Sequence, residues 1–308
     1  MKTIYITHPV FGLHEMGEHH PESPSRLEAI EQRLQTEGKL SQALHTLLAV
    51  KASDEDLLRV HLPHHIAHLK ASAPSAGYYA IDADTRLNQH TLEAAYYAAG
   101  AGILAIDEIF SGTAQTAFCA VRPPGHHATA DRAMGFCFFN NIAVAAAYAL
   151  DKYKLNQVVI VDFDVHHGNG TEDIFAHNEQ VHMFGFYQHP LFPGAAHSPA
   201  ASNMYNEPVS AGAGSETIRN IVIEKWLPRL KQLKPELLLF SAGFDAHQND
   251  SLGQLQLNEE DFAWITSTLM QATAASTQGR VLSMLEGGYE LTSLSRSVQA
   301  HLQVLAGL

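Results

Sequence analysis

The chain has 308 residues, 46% hydrophobic and 17% charged, an ordinary globular balance that excludes a disordered or fibrous polymer and can bury a sizeable core. A net charge of −13, with no Lys/Arg cluster, excludes a nucleic-acid phosphate surface and mildly favours a cationic substrate. Two cysteines, Cys119 and Cys137, are too few for a disulfide framework and are not spaced as a zinc site, so both are expected as reduced, buried thiols.

The opening MKTIYITHPVF holds no signal-peptide hydrophobic region, and no apolar run in the chain reaches the length of a membrane span, so the expected compartment is the cytoplasm. Thr3 to Thr7 alternates like a first strand. Pro21 and Pro24 break regular structure, and Ser25 is predicted to cap a helix from Arg26 to Glu37 that Gly38 stops. His14, His19, His20, Glu22 and Arg26 either line a site or form a polar loop braced by an Arg–Glu pair. Asp54 to Leu69 holds two short helical patterns separated by Pro63. The irregular stretch after it carries Tyr78, Tyr79, Asp82 and Asp84, as the rim of a site or as plain connection. Thr91 to Phe110 reads as a long structural helix whose Ala and Gly residues permit close approach to a sheet.

Thr116 to Val121 is an apolar strand. The rigid Arg122-Pro123-Pro124-Gly125 turn after it places His126 and His127 on irregular backbone, where two adjacent rings can be aimed into one pocket. Asn140 or Asn141 starts a helix to about Leu150. Val158 to Val161 is a β-branched run, the pattern of a strand buried on both faces, and it ends in Asp162, Asp164, His166 and His167. In an extended chain Asp162, Asp164 and His166 project to one side, with Phe163 and Val165 to the other. Carboxylates crowded in a poorly solvated pocket call for a cation among them, and a divalent metal supplies it. The other reading is a solvated polar turn closed by Gly168-Asn169-Gly170.

Thr171 to Ala176 reads as a short helix and Gln180 to Phe186 as a strand. The loop Tyr187 to Pro208 holds Phe192, either core or pocket wall. Ser215 to Leu233 is a helix bent by Pro228. Glu236 to Ala242 is a strand that ends in Gly243-Phe244-Asp245. Glu259 to Ala275 is helical, Arg280 to Leu285 is a strand, and Glu286 to Tyr289 opens the last helix. His64, His65, His68, His177 and His301 have no acidic partner nearby in sequence, and most are expected at the surface. No repeat, linker or low-complexity segment interrupts residues 1–308, which are expected to form a single domain. Strands alternating with helices predict an α/β fold with a mostly parallel central sheet and helices on both faces. Ligands bind such sheets beyond the strands' carboxyl ends, where His126, His127, Asp164, His166, Asp245 and Tyr289 all fall.

RPPGHHA from Arg122, GFCFFNN from Gly135, DFDVHHGNG from Asp162, SAGFDAH from Ser241 and LEGGYE from Leu285, with HPESPSRL near the start, closely resemble the histone deacetylase family, particularly its class II-like bacterial members. The resemblance implies an arginase/deacetylase-like fold and an amidohydrolase with one zinc ion per chain that removes acetyl or related acyl groups by metal-activated water. It makes Asp164, His166 and Asp245 metal ligands, His127 the general base and acid, and Tyr289 the donor to the developing oxyanion. His126 paired with Asp162 would tune the charge of the site, and Asn169 would orient His127. Phe136 and Phe192 would flank a narrow tunnel for the lysine stem, with Gly135 letting the stem pass. Two carboxylates and one imidazole suit ferrous iron as well as zinc.

Two departures from the family pattern carry expectations of their own. Where the family holds a structural K+ with a Ser and a following His, this chain has Gly185 and Tyr187, which leaves Asp162 and nearby carbonyls as the remaining ligands. Asp250-Ser251 replaces the family's Asp-Pro, a change expected to loosen that loop. A ureohydrolase on the arginase fold would need a second metal bridged by D-x-H-x-D, but the last position here is Gly168. Acetylpolyamine deacetylation uses the same catalytic groups. Polyamine-specific relatives often place a gatekeeper Glu near the position of Leu252, and that Glu is missing here, so acetyl-lysine in a peptide or protein, or a small acyl-amine, is the favoured substrate. A non-catalytic binding module would have lost a ligand, the base or Tyr289, and all are present.

Overall fold

The apolar runs Val158–Asp162, Leu237–Ala242 and Val281–Leu285 are strands buried along their whole length. The computed structural model describes residues 2–194 and 201–308. Its strands, in chain order, are β1 (Thr3–Thr7), β2 (Leu44–Leu48), β3 (Tyr79–Ala80), β4 (Arg86–Leu87), β5 (Thr116–Cys119), β6 (Val158–Asp162), β7 (Val181–Gln188), β8 (Met204–Val209), β9 (Leu237–Ala242) and β10 (Val281–Leu285). β3 and β4 pair antiparallel. The other eight form one parallel sheet in the order β2-β1-β5-β10-β9-β6-β7-β8. Register places Asp162 beside Ser241 on one flank and Gly185 on the other, with Leu285 beside Ala242. Helix Thr91–Phe110 packs on Asn141–Tyr153, and helices Ser25–Thr36 and Glu259–Thr277 both pack on Leu291–Leu305, so helices cover both faces of the sheet. Phe118, Ile160, Leu239 and Met284 in the central strands are fully buried, each contributing roughly 1.5–3 kcal/mol of hydrophobic stabilisation. Both cysteines are free and buried, as expected.

The departures from expectation have local causes. β2 and β8 are the two edge strands and were not anticipated. β2 pairs on one side only and leaves Leu48 exposed, while β8 carries Pro208, whose missing N–H is tolerated at an edge. β8 takes up the end of the expected loop Tyr187–Pro208 and runs one residue past it; residues 195–200 of that loop lie outside the described residues. Helix Ser25–Thr36 begins at Ser25 itself after Pro24, with no side-chain cap, and Gly38 opens a second short helix, Gly38–Ala43, instead of ending order. Asn140 caps Asn141–Tyr153 by accepting from the N–H of Ala143. The segment ahead of Pro228 takes up the proline's missing donor by widening into a π-helical turn over Ile221–Trp226. Glu286 to Tyr289 stays irregular, and the last helix starts at Leu291 with Glu290 as its cap. His64, His68 and His177 are exposed, but His65 and His301 are buried, His65 bonded to the Phe138 carbonyl and His301 to the hydroxyls of Thr266 and Ser283.

Candidate metal centre and active site

The neighbouring strands β5, β10, β9 and β6 end side by side, so the polar residues after each of them meet at one edge of the sheet. Beyond β6 the alternation persists: Phe163 is buried against Phe240, Phe244 and Phe262, while Asp164 and His166 meet Asp245 from the end of β9. Nδ1 of His166 lies 3.0 Å from Asp164 Oδ1 and 3.2 Å from Asp245 Oδ2. The ligand atoms of the three residues all fall within 4.8 Å of one another. The outer oxygens are already committed, Asp164 Oδ2 to the N–H of Gly287 and Asp245 Oδ1 to that of Val165, both at 2.9 Å. Asp245 Oδ2 is buried and accepts no hydrogen bond.

Burial and the neighbouring Asp164 carboxylate push Asp245 up to about 7. Against the pull of burial, Asp164 and Asp245 raise His166 to about 10. Without a cation this cluster must therefore hold a proton, and a divalent ion at the same place satisfies both carboxylates and the orphaned oxygen together. The donor set fits zinc or ferrous iron, with three protein ligands and positions left open. A Cβ on Gly287 would stand 2.2 Å from Asp245 Oδ2, so only glycine lets the β10 loop close over the carboxylates.

His126 and His127 arrive from β5 with their rings 4.0 Å apart. His126 Nδ1 is 2.9 Å from Asp162 Oδ2, and against burial the carboxylates of Asp162 and Asp164 hold this imidazole well above its usual range, so it is charged. His127 is pushed the opposite way, by burial first and then by the positive neighbours His126 and His166, so it is neutral. Its Nδ1 donates to Asn169 Oδ1 at 2.7 Å, while the Asn169 amide N–H2 is directed to Met134 Sδ at 3.5 Å. That orientation leaves Nε2 of His127 as the acceptor.

A cavity of about 220 Å³ adjoins these groups, lined by His127, His166, Gly135, Phe136, Phe192, Leu252, Leu191, Tyr289 and Asp84. The Phe192 ring stands edge-on to His127 with centroids 5.0 Å apart, and Phe136 edge-on to Tyr289 at 5.9 Å. Gly135, at φ +55, leaves no room for a side chain: a Cβ there would lie 2.5 Å from His127 Cδ2 and 2.8 Å from Phe192 Cε1. Burial raises Tyr289 well above its ordinary value, so its hydroxyl stays protonated. Every residue singled out from the sequence for metal, proton transfer or tunnel is thus brought into this one region.

Residues 20–305 match the histone deacetylase domain family. The chain belongs to the histone deacetylase family. It is 35% identical over 277 residues to the histone deacetylase-like amidohydrolase of Pseudomonas aeruginosa, spanning 88% of this chain and 72% of that protein. The polyamine deacetylase HDAC10 of Homo sapiens is 36% identical over 93% of this chain and 44% of its own length. The crystal structure of the HDA15 HD domain superposes with a TM-score of 0.92 at 33% identity, covering 99% of this chain and 88% of that one, which makes the architecture the arginase/deacetylase fold. As a member of this family the chain is a hydrolytic deacetylase.

Several residues hold the site in shape without lining the cavity. In HPESPSRL the Arg–Glu brace is present, and His20 also lies edge-on to Phe136 with ring centroids 4.7 Å apart. Glu22 is fully buried, pairs with Arg26 at 3.1 Å, and takes two bonds from Arg122, at 2.5 and 2.8 Å. Arg26 also donates to the carbonyls of Gly288 (2.7 Å) and Glu286 (2.5 Å), and its guanidinium stands 5.0 Å from the Tyr289 ring centre. Asp250 faces the tyrosine loop. Its carboxylate accepts from the N–H groups of Tyr289 (2.6 Å), Glu290 (3.0 Å) and Leu252 (3.0 Å), tying the tunnel wall to the tyrosine loop without a following proline. Where the family pattern places K+, Asp162 Oδ1 accepts from the N–H of Asp164, and Asn206 Oδ1 fills the space that a side chain on residue 185 would take. No helix among the described residues is long and apolar enough to cross a membrane.

Proposed function

We propose that this enzyme removes an acetyl group from the ε-amine of lysine in a peptide or protein, as one catalytic domain that holds a single zinc ion on Asp164, His166 and Asp245. When bound there, the ion polarises the amide carbonyl and acidifies the attacking water. His127, neutral and with Nε2 free, takes the proton of that water and returns one to the departing amine. The charged His126, held by Asp162, offsets the negative charge that builds up during attack. Tyr289, still protonated, donates to the oxyanion that exists mainly in the tetrahedral state. Phe136 and Phe192 enclose the apolar four-carbon stem and exclude water from it, and Asp84 brings a carboxylate to the mouth of the tunnel.

The observation that carries this reading is the placement of His127 and Tyr289 in one cavity with His166, beside the Asp164, His166 and Asp245 cluster. Gly168 in place of a third carboxylate speaks against a two-metal ureohydrolase. Acetylpolyamine hydrolysis is the second reading, favoured by the likeness to a protein named a polyamine deacetylase. Leu252 supports the lysine reading, since it puts an aliphatic group where polyamine-specific relatives often carry a Glu, and it leaves Asp84 as the carboxylate in the cavity lining. The deciding experiment compares acetyl-lysine peptides, longer acyl-lysines and acetylated polyamines with protein of defined zinc or ferrous iron content. A higher kcat/KM for acetyl-lysine peptides is expected. The reverse order would favour polyamines, and inertness toward all three in the metal-loaded protein would overturn both readings.

A further inference from the structure

Glu286 is fully buried at the end of β10, three residues before Tyr289, and the chemistry above gives it no task. Its Oε2 accepts from the backbone N–H groups of Gly125 (2.7 Å) and His126 (3.1 Å), and its Oε1 from the Ser241 hydroxyl (3.1 Å). All three donors are neutral. The peptide unit of His126 is thereby fixed from both ends, since its carbonyl accepts from the N–H groups of Gly170 and Thr171 at 3.0 and 3.2 Å. Glu286 is itself anchored: its carbonyl is held by Arg26, and the next N–H, that of Gly287, is bonded to Asp164. One rigid side chain therefore spans from the loop that carries the tyrosine to the loop that carries the two histidines.

We propose that Glu286 is a positioning residue for deacetylation, a strut that sets the spacing between His127 and the Tyr289 hydroxyl by holding the Gly125–His126 backbone. This inference rests on the assignment of His127 and Tyr289 given above. The strut acts through its length and its acceptor oxygen, and charge is incidental to it. Two variants separate these properties. Glu286→Gln keeps the length and one carbonyl oxygen for both N–H groups, and its amide can donate to the Ser241 hydroxyl, which accepts as readily as it donates. Glu286→Asp keeps the charge but is shorter by one carbon–carbon bond, about 1.5 Å. A misplacement of about 1 Å in a catalytic constellation can cost on the order of 10²-fold in rate.

In the zinc-loaded enzyme, E286Q is therefore expected within about threefold of the parent kcat and E286D reduced about 10²-fold, with KM of both nearly unchanged. E286M, similar in length but without an acceptor, should behave as E286D does and replaces it if E286D fails to load zinc. Ring-nitrogen NMR of ¹⁵N-histidine-labelled, zinc-loaded protein reads the same geometry without turnover: the His126 and His127 signals should move in E286D or E286M and stay in E286Q. An active E286D beside an impaired E286Q would assign the effect to charge and overturn the inference. Changes of KM in step with kcat, or loss of zinc from both E286D and E286M, would do the same. If the parent protein turned over none of the acylated substrates, the proposed function would fail on its own, and unmoved ring signals in E286D would then decide against the strut separately.

Discussion

Replacing Tyr289 by Phe removes one oxygen and leaves every other contact of the residue in place. The ring would keep its position 5.0 Å from the Arg26 guanidinium and its edge contact with Phe136, and the backbone N–H would remain bonded to Asp250 at 2.6 Å. Folding, zinc binding and the fit of the substrate stem should therefore be preserved. What disappears is a donor to charge that is present mainly in the tetrahedral state. Losing such a donor typically costs about 10²–10³ in kcat, or roughly 2.7–4 kcal/mol of transition-state stabilisation. KM should stay within about threefold, because the ground-state carbonyl bears little of that charge. Steady-state kinetics on an acetyl-lysine peptide, with zinc content and thermal melting recorded for both proteins, measure this split. A kcat within tenfold of the parent, or a variant whose KM rises while kcat holds, would refute the role given to the hydroxyl.

Gly135→Ala should be nearly inactive while retaining zinc, since the new methyl would stand 2.5 Å from His127 Cδ2 on backbone at φ +55; a kcat/KM loss of at least about 10²-fold is expected in the same assay. Asp245→Asn removes the charge behind the one ligand oxygen that has no hydrogen bond, so zinc affinity, measured by competition with a chelator, should fall by more than the roughly 10–100-fold usual for an outer-shell change. His301 links pH to stability. Burial holds it at about 3, below its unfolded value of 6.5, so the unfolded chain binds the extra proton in that window. Its contribution is fully present above pH 6.5 and is lost as pH falls toward 3, at roughly 1.4 kcal/mol per unit. Urea melts at pH 7 and pH 5 should show the parent losing about 2 kcal/mol more than His301→Gln, and equal losses would reject the assignment.

The central strands were legible because a run such as Val158–Val161 can be buried only as an inner strand, and its alternation continues far enough to place Asp164 and His166 together. The edge strands were not. Pairing on one side alone, β2 and β8 need no continuous apolar run, and their polar residues and Pro208 read as loop. For His301 the signal lies in the sequence: Leu294, Val298, Leu302 and Leu305 mark one helical face, and position 301 falls on it. A polar residue on such a face is better judged by its apolar companions than by the acidic partners it lacks.

The supports of the site were hidden for a different reason. Arg26 and Glu22 lie four residues apart and an Arg–Glu brace between them is one reading of the segment, yet that pair alone says nothing about Tyr289. Arg122, a hundred residues away, takes both oxygens of Glu22, so Arg26 needs only one of its nitrogens for the pair and has others left for the carbonyls of Glu286 and Gly288. The same pattern recurs at Asp250 and Glu286, whose carboxylates are spent on backbone N–H groups that only tertiary folding brings near. Residues that touch a ligand are confined to strand ends by topology and can be collected from a sequence. Residues that aim them answer to whichever backbone donors and acceptors the loops leave unpaired, and that remainder exists only once the chain is folded.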